Sequence, residues 1–229
     1  MSGAAVEAPS ASALRLVVAA ERLFARHGID GVSLRQVAGE AGSGNNSAVH
    51  YHFGSKAGLI AAIFRHRLPR ILDERRLLLA RIDPDDLRDR LEAHLFPVLT
   101  MAEAPDNHYV SFVEQLQRRA RGAGTALFDL PPEGHRANDE FRHDLHRLLA
   151  DLPEPVRGLR ITEAQALCLH AAADREEEAT TGAPTVPFEL FASSLLDGIT
   201  GFLSAPASAE TQRRLRGGAR VGEDRLRLL

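Results

Sequence analysis

Hydrogen-bonding side chains crowd into one short stretch of the sequence, Gly44-Asn45-Asn46-Ser47-Ala48-Val49-His50-Tyr51-His52-Phe53. Its amides, hydroxyls, imidazoles and phenol can donate or accept hydrogen bonds, which suits contact with polar edges and anionic oxygens. The glycine and asparagine content is typical of a surface turn, but Ala48, Val49 and Phe53 have the spacing of one face of a short helix. We therefore expect a short helix with polar groups and Tyr51 on its outer face.

Two other places carry side chains that could react or bind a metal ion. His143 and His146 share one helical face and could hold a metal together with His135 or an acidic neighbour, but an exposed polar face is the better interpretation because no second helix offers matching ligands. Cys168, the only cysteine, lies in an apolar helical segment without a nearby histidine signature, which favours a structural thiol over a nucleophile. We expect no catalytic residue, no metal and no cofactor, and therefore no enzyme.

Length and composition bound the class of protein. The chain has 229 residues, of which 44% are apolar, enough to bury a sizeable core. Its first residues contain no basic group before Arg15 and no apolar run, so they do not resemble a secretory signal. No apolar run approaches the about 18 residues that span a bilayer. A single cysteine excludes an internal disulfide, and we expect a protein of the cytoplasm with no membrane partner.

The net charge of -3 hides an asymmetry along the chain. Residues 1–70 contain eight basic and four acidic side chains, whereas the rest contains 20 basic and 27 acidic ones. A basic head on an acidic body indicates that the head alone meets a polyanion, although chance scatter of charge is the alternative.

Helical periodicity extends through the whole chain, without strand-like alternation. A first helix is predicted from Leu14 to His27, and Ser33 with Gln36 forms a Ser-x-x-Gln capping box at the start of a second helix of about eight residues. A glycine-containing turn follows, and Asn45 or Asn46 is predicted to cap the third helix. Ser55 is predicted to cap a fourth helix, which Pro69 would kink or interrupt.

Longer helices are predicted beyond residue 82. Their apolar stripes cover residues 83–101, 107–121, 139–149, 154–179 and 188–202. The glycine- and proline-rich residues 122–137 are predicted to form a loop with at most one helical turn. Residues 1–12 and 206–229 lack a pattern and are predicted to be a flexible N-terminal tail and a loosely ordered C-terminal tail.

A short helix, a glycine-containing turn and a second short helix form the pattern of a helix-turn-helix, whose second helix enters the major groove of DNA. Small side chains at the start of that helix let its backbone approach closely, and polar tips can bond bases and phosphates. Glycine turns between helices are common, so an ordinary polar loop is the alternative from pattern alone.

The stretch from Leu14 to Leu59 resembles the DNA-binding domain of the TetR family of transcriptional regulators. The matching features are Ala19-Ala20 with Leu23-Phe24, Gly28, the helix from Ser33 to Ala41-Gly42, and the sequence Tyr51-His52-Phe53-Gly54-Ser55-Lys56 followed by Leu59. The chain differs from the usual family pattern at the turn, where it has Gly44-Asn45-Asn46, and at His50, which takes the place of the usual tyrosine. The resemblance covers about a fifth of the chain.

The resemblance and the side-chain chemistry together assign roles in DNA binding. Base edges are expected to meet Asn45, Asn46 and Ser47, since asparagine can pair bidentately with adenine. The remaining candidates are expected to lie near phosphates, and some of them belong to the first turns of two helices, whose N-termini favour anions. These candidates are Ser33, Arg35, Gln36, His50, Tyr51, His52 and Lys56. Two structural alternatives stay open, a packing role for His52 and a helix cap for Asn45.

The resemblance also implies functions for the helical body. A homodimer would read half-sites spaced by about 34–36 Å or multiples of that distance, with the last two long helices of each chain forming the interface. The apolar candidates for that interface are Leu159, Ala166, Leu169, Phe188, Phe191, Leu195, Ile199 and Phe202. The implied effector pocket would be lined by Phe96, Met101, Phe112, Gln115, Leu116, Phe128 and Phe141. Packing within the body is the alternative for both sets.

The sequence therefore predicts an all-α chain with four parts: a tail (1–12), a helix-turn-helix DNA-binding domain (13–58), a larger helical effector-binding and dimerisation domain (59–205) and a second tail (206–229). The expected function is a homodimeric repressor that binds a palindromic double-stranded operator and leaves it when a small-molecule effector binds. The alternative is a helical scaffold for protein contacts with a degenerate helix-turn-helix. Salt separates the two, because phosphate contacts weaken steeply as salt rises and apolar contacts do not.

Overall fold

The structure is a computed structural model that describes residues 10–43, 47–104, 106–123, 130–182 and 185–217, without the side chains of residues 120–123. All regular structure in these ranges is helical, which confirms the predicted fold class. The helices are α1 (Ala11–Gly31), α2 (Leu34–Glu40), α3 (Ala48–Phe53), α4 (Lys56–Leu79), α5 (Leu87–Ala102), α6 (Tyr109–Ala123), α7 (Pro132–Leu148), α8 (Glu154–Thr181), α9 (Phe188–Ser204) and α10 (Ala209–Arg216).

Short polar signals begin and end the first four helices. Ser10 accepts the Ala13 N–H at the start of α1, and Gly28, with φ of 73°, breaks the helical geometry near its end. The predicted capping box is confirmed, since the side chains of Ser33 and Gln36 bond each other's backbone N–H groups. Ser55 caps α4 by accepting the Gly58 N–H.

Three predictions about helix boundaries are wrong in the described residues. Ser47, not an asparagine, is the residue that precedes α3, and its side chain makes no capping bond. The predicted interruption at Pro69 is absent, since α4 continues to Leu79 with buried apolar side chains on both sides of the proline. Within the predicted loop of residues 122–137, α7 already begins at Pro132, which has the fixed φ that suits a first helical position.

The C-terminal segment also departs from its prediction. Residues 209–216 form α10, although no side chain of this helix is buried. Ser208 caps it, and Glu210 forms ion pairs with Arg213 and Arg214 one turn further on. Local capping and i,i+4 pairing thus stabilise a helix that an apolar pattern could not reveal.

A single core joins the N-terminal helices to the body. Helix α6 packs on α1, α5 and α8, and Phe112 of α6 lies beside Phe24 of α1, with ring centroids 6.2 Å apart. Helix α4 begins beside α3 and continues into the body, where it packs on α5 and α7. The predicted boundary at residue 58 therefore falls inside α4, which connects the two regions.

No single helix among the described residues is long and apolar enough to cross a membrane. Helices α9 and α10, which are bent by 52° relative to each other, together reach the length and apolar composition of a membrane span, and only by those two criteria.

Candidate nucleic-acid interface

The helices α2 and α3 form a compact pair with an apolar inner side. Val37 and Ala38 of α2 and Val49 of α3 are fully buried, and Ala48 is nearly so. These side chains join the core formed with α1 and α4. Burial of one side fixes which residues of the two short helices face solvent.

The outer side of this pair presents the polar residues that the sequence analysis selected. Tyr51 is 84% exposed, and its ring lies edge-on to His52 at 5.0 Å. Arg35 is exposed in the first turn of α2 and forms no ion pair with a described carboxylate. Ser33, Gln36, Ser47 and His50 are exposed as well. A cation, a phenol and several hydroxyl and amide groups in and around α2 and α3 are thus exposed to solvent.

Ser33 and Gln36 use much of their bonding capacity within the cap of α2. The Ser33 hydroxyl donates to Gln36 Oε1 at 2.7 Å, and the same oxygen accepts the Ser33 N–H at 2.8 Å. The cap leaves the helix start exposed, where backbone N–H groups and the helix dipole favour an anion.

The two histidines of α3 make contacts within the domain. His50 Nδ1 lies 3.1 Å from the Gly54 carbonyl oxygen and closes the last turn of α3, while its ring remains exposed. His52 Nε2 lies 3.4 Å from Ser12 Oγ, so this half-buried ring packs against the start of α1. The position of His52 therefore agrees with the alternative interpretation, a packing role. One edge of the His50 ring remains exposed to solvent.

Lys56 does not point into solvent as a phosphate ligand would. It begins α4, as predicted, but its ammonium donates to the Ile29 carbonyl oxygen at 2.9 Å and lies 6.0 Å from the Phe24 ring centroid. Carbonyl groups at the end of α1 attract a cation for the same reason that a helix start attracts an anion. Lys56 thus links α1 and α4 in this structure, and its contact with a phosphate stays a prediction.

Asn45, Asn46 and Phe128 lie outside the described residues. The two asparagines remain the predicted base-reading residues, without a structural position to support them.

Sequence reasoning missed the contact that fixes α3 against α4. A Cβ atom on Gly58 would lie 2.0 Å from the Phe53 carbonyl oxygen, so only glycine fits at this crossing. Gly54, with φ of 71°, makes the turn between the two helices. The available signal in the sequence was Gly58 itself, a small residue four positions after Gly54.

The residues predicted for a dimer interface divide into two groups. Leu169 and Ile199 are only 1% exposed and belong to the core of the chain itself, so this part of the prediction is wrong. They face inward because α8 and α9 pack on α5. Leu159 and Phe202 are exposed, and the half-buried members are Ala166, Phe188, Phe191 and Leu195. Leu167 and Leu190, which sequence reasoning did not select, add exposed apolar surface to the same two helices.

The residues predicted to line an effector pocket are mostly core. Met101, Phe112 and Leu116 are at most 4% exposed and fill space between helices, and their place in an effector pocket stays a prediction. Phe96 packs on Phe188, with ring centroids 5.6 Å apart. Neither Phe96 nor Gln115 lines the two cavities that border α4 in the described part of the chain.

Phe141 is the exception, because it lines a groove of about 390 Å³ between the second half of α4 and α7. The walls of this α4–α7 groove include Leu72, Arg75, Leu79, His94, Arg136 and Phe141. Sequence reasoning missed it because the groove depends on where α7 begins.

The candidate metal and thiol sites show ordinary surroundings. The described residues contain no group of three potential metal ligands, and His146 lies 3.5 Å from Glu154. Cys168 is buried, and burial raises the pKa of its thiol to about 12. The thiol therefore stays protonated at neutral pH.

Comparison with known proteins agrees with this geometry. The family model of the bacterial regulatory proteins of the tetR family matches residues 16–63, the segment from α1 through the first turns of α4. No curated protein matches the chain.

Solved structures share the fold at low sequence identity. A transcriptional regulator from Rhodococcus sp. RHA1 is 20% identical, with a TM-score of 0.51 over 84% of this chain and 96% of its own. A tetR family regulatory protein from Rhodococcus RHA1 is 18% identical, with a TM-score of 0.47 over 85% of this chain and 98% of its own. The TetR family regulator PfmR from Thermus thermophilus is 20% identical, with a TM-score of 0.46 over 81% and 96% of the two chains. Only the first of these supports the likeness of the whole fold.

The segment of residues 16–63 is thus similar to the bacterial regulatory proteins of the tetR family, and the whole chain shares the fold of the first of these solved structures.

Proposed function

We propose that this chain is a homodimeric repressor that binds a palindromic double-stranded operator and releases it when a small molecule occupies the body. The observation that carries the proposal is the exposure of Tyr51 on a short helix whose inner side is fully buried. An aromatic side chain displayed to this degree, on a helix pair that also exposes Arg35 and several hydroxyl groups, suits a surface that meets a partner.

In this proposal α3 enters the major groove with its N-terminal end toward the bases. Ser47 and the two asparagines before it would meet base edges, while Tyr51 and Arg35 would contact phosphates on the two sides of the groove. The backbone N–H groups at the start of α2, beside Ser33 and Gln36, would bind a further phosphate. His50 would use its exposed edge in the same way, and Lys56 and His52 would hold the helices in place.

A dimer would form through α8 and α9. Leu159, Leu167 and Leu190 are at least half exposed, and Phe202 is 37% exposed. Four large apolar side chains are thus exposed on two neighbouring helices, and exposed apolar surface is typical of protein interfaces. Two copies of α8 and α9 would bury these side chains in a four-helix contact and place two recognition helices on one face of DNA.

Fluorescence anisotropy at several salt concentrations tests the function. The proposal expects the protein to bind DNA from upstream of its own gene more tightly than random DNA of equal length, with affinity that falls steeply as salt rises. Binding equal to that of random DNA, or binding that salt leaves unchanged, would contradict it and favour the scaffold alternative.

A further inference from the structure

Arg75 of α4 is a buried cation without a matching acid. Its side chain is 6% exposed, and Nη2 donates to the His94 carbonyl oxygen at 3.0 Å. The Nε atom has no hydrogen-bond partner among the described residues, and no described carboxylate forms an ion pair with this guanidinium. Burial lowers its pKa to about 10, which still leaves it charged at neutral pH. A charge in this position is unfavourable unless something else compensates it.

Two cavities share Arg75 as a lining residue. One is a small apolar space of about 30 Å³ whose walls include Phe64, Leu68, Ile71 and Val113. The other is the α4–α7 groove of about 390 Å³, which is open to solvent. Arg75 and Leu72 line both, so Arg75 lies where the groove adjoins the small cavity.

The other charges of the groove are matched or lie near its rim. Arg76 forms an ion pair with Asp73, and Arg90 forms one with Asp144. Glu133, Arg136 and Glu140 are exposed. Arg75 is therefore a buried positive charge of the groove without a described carboxylate partner, while the exposed lining residues carry both signs.

We propose that the α4–α7 groove binds a small carboxylic acid with an apolar body, and that its carboxylate docks on Arg75. The guanidinium fork matches a carboxylate and can donate from Nε and from an Nη atom. Leu72, Leu79 and Phe141 offer apolar contacts for the rest of the molecule. The groove volume falls within the about 300–1,000 Å³ of common ligand sites.

The single charge also limits the class of ligand. A monoanion would neutralise Arg75, whereas a phosphate dianion would leave excess negative charge beside Glu133 and Glu140. The regulatory part of this inference rests on the proposed function, since the acid would be the effector. The binding site itself does not depend on DNA.

Isothermal titration calorimetry on the full chain tests the site, with four probes in two matched pairs. Octanoate is compared with octan-1-ol, and phenylacetate with phenylacetamide, so that each pair differs in charge. We expect at least one acid to bind, with its neutral counterpart at least tenfold weaker. Absence of binding by both acids, or equal binding by the neutral molecules, would overturn the proposal.

Two arginine variants on α4 locate the site. Arg75→Met should weaken acid binding at least tenfold, whereas Arg70→Met, which changes an exposed partner of Glu74 outside the groove, should change it less than threefold. Arg75→Met should also melt no lower than the unaltered protein, because it removes an unpaired buried charge. Unchanged affinity in Arg75→Met would overturn the site. If this variant does not fold, the comparison of acids with neutral molecules on the unaltered protein decides the question.

Failure of the site is distinguishable from failure of the proposed function. If the unaltered protein shows no specific DNA binding, the proposed repressor function is contradicted, but the calorimetric evidence for acid binding is unaffected. Conversely, a protein that binds DNA but no acid would contradict the anion site alone. If an acid binds through Arg75 without weakening operator binding in the anisotropy assay, its role as effector is overturned.

Discussion

The carboxylate of Glu21 and the guanidinium of Arg67 form a two-pronged ion pair between α1 and α4. Arg67 Nε lies 2.7 Å from Glu21 Oε2, and Arg67 Nη2 lies 2.6 Å from Glu21 Oε1. The same carboxylate accepts the His108 N–H at 3.1 Å, at the start of α6. One nearly inaccessible acid thus joins α1, α4 and the start of α6.

Glu21→Gln is expected to lower the free energy of unfolding by about 3 kcal/mol, because it leaves the partly buried Arg67 without its carboxylate. Urea unfolding followed by circular dichroism measures the effect. Glu40→Gln is the matched control, since the Arg22–Glu40 pair between α1 and α2 is exposed and should contribute less than about 1 kcal/mol. Similar losses in the two variants would contradict the role given to Glu21.

Gly58→Ala should displace the α3–α4 junction. The added methyl group would meet the Phe53 carbonyl oxygen at 2.0 Å, and a backbone atom cannot move aside as a flexible side chain can. We expect a loss of about 2 kcal/mol or more in stability, together with weaker DNA binding. Gly39→Ala, with no atom within 4 Å of the new Cβ, should leave stability unchanged or raise it by about 0.5–1 kcal/mol. A Gly58→Ala protein as stable as the original would refute this account of the junction.

Stability should depend on pH through Glu176. This buried carboxylate accepts N–H groups from Val110 and Ser111 at the start of α6, yet burial dominates and raises its pKa to about 7. Between its ordinary pKa of 4.5 and about 7, the unfolded chain loses the proton that the folded chain keeps. The free energy of unfolding should therefore fall by about 3 kcal/mol as pH rises through this window, and then level off.

Glu176→Gln isolates this contribution from other titrating groups. Denaturant titrations from pH 4.5 to 8 should show a shallower decline in the variant than in the unaltered protein. Parallel curves for the two proteins would show that Glu176 does not carry the pH dependence.

Leu159→Glu should weaken the proposed dimer. Leu159 on α8 and Leu77 on α4 are both 57% exposed, so Leu77→Glu is a control of equal exposure on another surface. Sedimentation equilibrium should show at least a tenfold weaker dimer for Leu159→Glu and little change for Leu77→Glu, because a charge buried in an apolar interface is unfavourable. An unaltered protein that is monomeric at micromolar concentration would contradict the α8–α9 interface.

Local chemistry made the DNA-binding domain predictable from the sequence. The capping box of Ser33 and Gln36, the Gly54 turn and the Ser55 cap each depend on residues within four positions of one another. Apolar spacing likewise identified Val49 as an inward-facing residue of α3. Such signals do not require knowledge of the rest of the fold.

Contacts between distant segments were not predictable in the same way. Lys56 has a long flexible side chain, and only the position of Ile29, 27 residues earlier, shows where its ammonium lies. The burial of Leu169 and Ile199 depends on which sides of α8 and α9 face α5. Arg75 looked like one of many arginines, and its buried position follows from the packing of α4 against α5 and α7.

The most direct test of DNA recognition compares three single variants on one DNA fragment. Tyr51→Ala and Arg35→Ala remove exposed groups of the proposed interface, and Arg81→Ala removes an exposed arginine just beyond the far end of α4. Anisotropy at fixed salt should show at least tenfold weaker binding for the first two variants and less than twofold change for the third. Arg35→Ala should also lower the slope of log affinity against log salt by about one phosphate contact. Equal affinity of all three variants and the unaltered protein would contradict the claim that this side of α2 and α3 binds DNA.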